Sequence, residues 1–125
     1  MKIFVVDDSL IDQKLLITSL QKAGIDNEVL VASDGKEALE ILEKEHENIC
    51  LMFLDWQLPK VDGLEILKRA AQDPKTASLP VVMSTATNSP EDEEIARLLN
   101  PNLAAFLNKP FDPEKVVAAA LPHVK

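Results

Sequence analysis

Four polar groups in this chain each stand directly behind an apolar run. Asp7-Asp8 follows residues 3–6, Asp55 follows 49–54, Ser84-Thr85 follows 79–83, and Asn108-Lys109-Pro110 follows 103–107. The runs are nearly continuous rather than alternating, the pattern of strands buried on both faces of a parallel sheet. The carboxyl ends of such strands share one edge, and open α/β sheets bind ligands there, at the switch in strand order. If the strands carrying Asp7, Asp8 and Asp55 are neighbours at that switch, three carboxylates converge and repel one another, so a counterion is needed. A hard divalent cation fits: Mg²⁺ takes one or two carboxylates plus waters and a phosphate. Lys109 adds a point charge for a phosphoryl oxygen, and Thr85 adds a hydroxyl donor. An Asp nucleophile, a metal, a lysine clamp and a hydroxyl donor amount to a phosphoryl-transfer site.

These groups are placed by alternating elements. A fifth apolar run covers residues 29–32, and helical spacing fills the gaps between runs. The predicted buried stripes are Ile11, Leu15, Leu16 and Leu20; Ala38, Leu39, Ile41 and Leu42; Leu64, Leu67, Ala70 and Ala71; Ile95, Leu98 and Leu99; and Val116, Val117, Ala120 and Leu121. Ser9 precedes Asp12 by three residues as a helix cap, and Ser89-Pro90-Glu91 and Asp112-Pro113-Glu114 each read as cap, first-turn proline and acid. Asn100-Pro101 ends the fourth helix. The expectation is a (βα)₅ fold, a doubly wound five-stranded parallel sheet with helices on both faces. Its 125 residues are read as one domain, 1–125, with no output domain. Twenty-one acids against 13 Lys+Arg give a net charge of −8, which speaks against nucleic acid or an anionic membrane as partner. The first residues, with two acids behind a short apolar run, are not expected to be a signal peptide, no apolar run is long enough to span a membrane, and there is a single cysteine, so the expected location is cytoplasmic. Cys50 is read as an inert core thiol, and His46 and His123 as surface residues.

With these residues in place the sequence resembles the receiver domains of two-component response regulators over essentially its whole length. The matching pieces are Val5-Val6-Asp7-Asp8-Ser9, Phe53-Leu54-Asp55-Trp56-Gln57-Leu58-Pro59, Asp62-Gly63, Ser84-Thr85-Ala86 and Lys109-Pro110-Phe111. The resemblance implies the flavodoxin-like strand order 2-1-3-4-5, an order that chemotaxis receivers share. It implies that Asp55 accepts a phosphoryl group from a phosphohistidine on a partner, and that the protein catalyses its own phosphorylation and dephosphorylation. Asp8, Asp55 and the backbone carbonyl of Gln57 would ligate Mg²⁺, with Asp7 acting through a water. Lys109, expected before a cis bond to Pro110, would pair with the phosphoryl group. Thr85 would hydrogen-bond it and move toward it, while Phe106 turns inward as the second switch residue. Backbone N–H groups of Trp56 and Ala86 would complete the phosphate cradle. Gln57 and Thr87 occupy positions that tune phosphoryl lifetime in the family. Asn102 stands where the family often has glycine, and is expected to take a left-handed exit from the fourth helix.

The implied partners are a histidine kinase or histidine phosphotransfer protein, and a target on the face of helix 4, strand 5 and helix 5. The protein is expected to act as a monomer, either binding a target as motility receivers do or passing phosphate along a relay. A receiver fold that never takes phosphate is disfavoured, because no acid is missing and Lys109 is present. A phosphate-ester hydrolase is excluded: such enzymes carry an acid two residues after the nucleophile, and here that residue is Gln57, which cannot transfer protons in that way.

Overall fold

The computed structural model describes residues 1–86 and 89–124. The apolar runs form β1 (Lys2–Val6), β2 (Val29–Ala32), β3 (Ile49–Asp55), β4 (Val81–Thr85) and β5 (Leu103–Asn108). All pair in parallel, in the order β2-β1-β3-β4-β5. Five helices connect them: α1 (Leu10–Lys22), α2 (Gly35–Glu45), α3 (Gly63–Gln72), α4 (Pro90–Leu99) and α5 (Pro113–Ala120). Alternate strand residues feed two cores. Phe4, Val6, Met52, Leu54 and Met83 pack with Ala38, Leu42, Ile66, Leu67 and Ala96 on the face of α2, α3 and α4. Ile3, Val5, Leu51, Phe53 and Val82 pack with Leu16, Leu20, Val116 and Ala120 on the face of α1 and α5. This is the doubly wound arrangement the strand pattern predicts.

Several helix faces are rotated from the expected stripes. In α1, Leu16 and Leu20 are buried, but Ile11 and Leu15 are exposed and Gln13 and Ser19 take their places inside. Gln13 is admitted because its amide donates to the Asp7 carbonyl and the Ser33 hydroxyl, and Ser19 because its hydroxyl donates to the Leu15 carbonyl. In α4, Ile95 and Leu98 point outward, and small Ala96 makes the buried contact. Ile66 joins the α3 face, while Leu121 lies beyond the end of α5 and is exposed. Strand β4 begins at Val81 rather than residue 79. Pro80 has no N–H for the ladder, although its carbonyl still accepts from the Met52 N–H.

Other corrections are local. The β1–β3 register slips between Lys2 and Ile3, so Cys50 falls at a bulge and is half-buried rather than a core residue. His46 and His123 are also half-buried rather than surface residues, with His46 Nδ1 3.2 Å from the Leu42 carbonyl. Asn102 is not left-handed: among the described non-glycine residues only Lys60 has a positive φ. The chain instead leaves α4 through an extended Asn100, whose carboxamide bonds Leu67 O and Asn102 N–H, and the Asn102 amide reaches Ala77 O.

Candidate phosphoryl-transfer site

The register of the sheet brings the strand-end polar residues into one row. Val6 is paired with Leu54, Asp55 with Ser84, and Thr85 with Asn108. Asp7 therefore emerges beside Asp55, and Lys109 leaves β5 next to Thr85, whose carbonyl accepts the Lys109 N–H at 2.8 Å. The Lys109–Pro110 peptide is cis. Oxygens of Asp7, Asp8 and Asp55 all lie within 4.8 Å of one another. Asp7 and Asp55 are buried and Asp8 is exposed, so the cluster is reached from solvent on the Asp8 side.

Each buried acid is held from several directions. The Asp7 N–H donates to Ala32 O, its carbonyl accepts from the Gln13 amide at 2.6 Å, and its carboxylate accepts the Ser9 N–H at 2.9 Å. Asp55 is approached by the start of α3. A Cβ at position 63 would overlap the Asp55 carbonyl oxygen, which explains the glycine after Asp62. Lys109 lies across the cluster, with Nζ 2.8 Å from Asp7, 2.9 Å from Asp12 and 3.2 Å from Asp55.

Burial and charge act against each other here. Burial pushes the Asp55 carboxyl up to about 6, helped by the Asp7 charge and opposed by Lys109. Burial also raises Asp7 above the usual carboxylate range, again against the pull of Lys109. For Lys109 burial alone would lower the ammonium, but hydrogen bonds to Asp7 and Asp12 outweigh it and hold the group firmly protonated. Four acids and one lysine leave a formal charge of −3 when all are ionised (4 − 1). One ammonium cannot balance that. The donor set, all carboxylate oxygens with one exposed member, suits a hard divalent cation.

Thr85 is buried at the end of β4 and Ala86 is exposed just beyond it. Trp56 and Phe106, both half-buried, meet edge to face with ring centroids 6.0 Å apart at 77°. Phe106 thus packs against the residue that follows Asp55. The backbone N–H of Trp56, expected in the phosphate cradle, donates to Ser84 O at 2.8 Å in the unphosphorylated chain. The parallel ladder runs one residue past β3 and occupies that donor. The Gln57 backbone N–H favours the ionised Asp55 carboxylate, the weakest of the influences on that group. Thr87 lies outside the described residues.

Two members of the site do not emerge from the sequence as such, Asp12 and Gln13. Asp12 is legible as the acid of a capped first turn, and the Ser9 hydroxyl does accept its N–H. The first turn of α1 also starts at the carboxyl edge, the ligand side of an open α/β sheet, and that placement is the signal that could have found it. Gln13 offers none beyond a polar residue among apolar ones.

Residues 3–121 match the family model described as response regulator receiver domain. A chemotaxis protein CheY homolog of Campylobacter jejuni is 32% identical over 114 residues, covering 91% of this chain and 85% of its own. The alkaline phosphatase synthesis transcriptional regulatory protein PhoP of Bacillus subtilis is 40% identical over 119 residues, 94% of this chain. The chain spans 45% of that protein's length, less than half. Among solved structures, the Mn²⁺-bound form of response regulator Rcp1 superposes with a TM-score of 0.81 at 30% identity, over 95% of this chain and 91% of its own.

Proposed function

The chain belongs to the response regulator receiver domain family, and on that premise we propose that it is a signalling switch phosphorylated on Asp55. The observation that carries this reading is the Asp55 carboxylate, 3.2 Å from Lys109 and grouped with Asp7 and Asp8 at the carboxyl edge. An Asp55 oxygen attacks the phosphorus of a phosphohistidine on a histidine kinase or phosphotransfer protein. The P–N bond breaks and its electron pair leaves with the imidazole, which takes up a proton. Lys109 pairs with the phosphoryl oxygens, Thr85 donates its hydroxyl, and the Ala86 N–H completes the cradle. Asp8, Asp55 and the Gln57 carbonyl, with Asp7 through a water, would hold a divalent cation such as Mg²⁺, which would supply positive charge to the transferring group. The acid cluster and the Mn²⁺-bound relative support that assignment.

In this reading Thr85 and Phe106 carry the change outward to a target on the α4–β5–α5 face, where exposed Ile95 and Leu98 offer apolar contact. In this reading it binds its target directly, as a monomer in the cytoplasm; the chain is similar to a chemotaxis protein over 85% of that protein's length. Among the described residues no helix is long and apolar enough to cross a membrane.

The test is intact-mass analysis after incubation with a small phosphodonor and Mg²⁺. The wild type is expected to gain one acid-stable, base-labile phosphoryl group and Asp55→Asn none. An equal gain on the variant overturns the assignment.

A further inference from the structure

Resting on that reading, we infer that Asp12 is a positioning residue that competes with the phosphoryl group for Lys109. A lysine ammonium has three N–H donors and no more. Here the ammonium donates to Asp55 at 3.2 Å and forms ion pairs with Asp7 at 2.8 Å and Asp12 at 2.9 Å. A phosphoryl oxygen therefore has to compete with these three carboxylates for Lys109. The three contacts are not equivalent. Asp7 and Asp55 belong to the acid triad whose oxygens lie within 4.8 Å of one another, so a cation there draws on their charge and weakens their hold on the ammonium. Asp12 lies outside that triad, on the first turn of α1, and keeps its full charge for Lys109. Its geometry is also fixed, because its own N–H is capped by the Ser9 hydroxyl at 3.2 Å and the next residue, Gln13, is anchored to the Asp7 carbonyl at 2.6 Å. The pair is shielded, with the Lys109 side chain 13% exposed and that of Asp12 21%.

Asp12 thus holds Lys109 in the unphosphorylated arrangement, and phosphorylation of Asp55 must draw the ammonium away from it. The residue lowers the response of the switch by making its resting state more stable. Loss of this contact should favour every state in which Lys109 pairs with a phosphoryl-like group.

The experiment uses the full chain, Asp12→Asn and Asp12→Glu, with two readouts. In metal-free protein, the ¹³Cε resonance of Lys109, assigned with Lys109→Arg, reports the ion pair directly. It is expected to shift in Asp12→Asn and to return toward the wild-type position in Asp12→Glu. With saturating Mg²⁺, titration with beryllofluoride followed by Trp56 fluorescence reports competition. Asp12→Asn is expected to bind about fivefold tighter, about 1 kcal/mol at 1.4 kcal/mol per factor of ten. The gain should persist in 1 M salt, where the Debye length of about 3 Å screens a remote charge but not a direct contact. An unmoved Lys109 resonance overturns the proposal. So does a resonance that moves without a change in affinity, or a gain that disappears in 1 M salt, since Asp12 would then act only structurally or as a distant charge. If wild type and variant both fail to bind beryllofluoride while the resonance moves, the Asp55 phosphorylation reading has failed and takes the competition with it, although the ion pair stands.

Discussion

On the β1–β3 side of the carboxyl edge, polar groups answer one another at short range. Lys109 reaches three acids, Gln13 pins the Asp7 carbonyl, and Ser9 both caps α1 and donates its N–H to Asp7. On the β4–β5 side the same kinds of residue do less. Ser89 opens α4 as Ser9 opens α1, yet its side chain makes no capping bond. Among the described residues the acids of the α4 first turn face no buried cation, and Glu93 pairs with exposed Arg97 one turn on. Ile95 and Leu98 are 45% and 79% exposed, and α4 is tied to β5 through the Arg97 guanidinium on the Leu103 carbonyl. A cap followed by an acid is thus no site by itself; what lies opposite decides. The difference also divides labour. On the proposed reading, the charged side positions the chemistry and the more weakly tied apolar side expresses the change.

Removing the cation should break this comparison most severely. Lys109→Ala leaves Asp7 and Asp55 buried without their counterion, which typically costs about 3 kcal/mol or more. Urea unfolding at pH 7.5 in EDTA should show a loss of that order. Mg²⁺ should restore part of it, since a ligand that binds only the native state stabilises by mass action. A loss below about 1 kcal/mol would mean that packing, not charge, holds this side.

Removing an acid should act in the opposite direction and depend on pH. Asp55 titrates near 6 in the folded protein against an ordinary value of 3.8. Between those values the unfolded chain has lost a proton that the folded chain still holds. The contribution to stability is therefore intact below about pH 4 and is lost as pH rises through 6. Raised Asp7 acts in the same sense. Asp55→Asn removes this penalty. In EDTA the variant should match wild type near pH 4 and exceed it by about 2 kcal/mol at pH 7.5, a discounted figure from 1.36 kcal/mol per pH unit of displacement. A constant difference across that range would show that the Asp55 charge is not what strains the metal-free site.

The strands and the order of elements were legible because each apolar run is short, nearly continuous and followed by a polar residue at the ligand edge. The strand order came from resemblance, and the structure agrees with it. Helix faces were less legible. In α1 the apolar residues Ile11, Leu15, Leu16 and Leu20 suit more than one stripe, and the choice is made by Gln13, whose burial depends on acceptors far away in sequence. In α4 it falls to Ala96 and to Asn100, buried through its bond to Leu67 O, so hydrophobicity pointed the wrong way. At the site, the positions of Asp7, Asp8, Asp55, Thr85 and Lys109 follow from strand ends. The Lys109–Asp12 pair and the engaged Trp56 N–H do not, because each depends on where a ladder or a helix turn stops.

Between the two sides lies one aromatic contact, and it should yield the smallest effect. Trp56 follows Asp55, and its backbone is fixed to β4 through Ser84 O. Its ring meets Phe106 of β5 edge to face at 6.0 Å, a geometry worth about 1 kcal/mol beyond area burial. A double-mutant cycle with Trp56→Leu and Phe106→Leu should therefore give a coupling of about 1 kcal/mol in urea unfolding, distinct from the separate costs of each truncation. Phe106→Leu alone should shift Trp56 emission yet leave the Mg²⁺ midpoint within about twofold, since Phe106 is not one of the clustered acids and meets the site through the Trp56 ring, and a twofold change is under 0.5 kcal/mol. Coupling below about 0.3 kcal/mol would lie within ordinary additivity. The rings would then be mere neighbours, and the path from the charged side to α4 and β5 would have to run through Thr85 and Lys109.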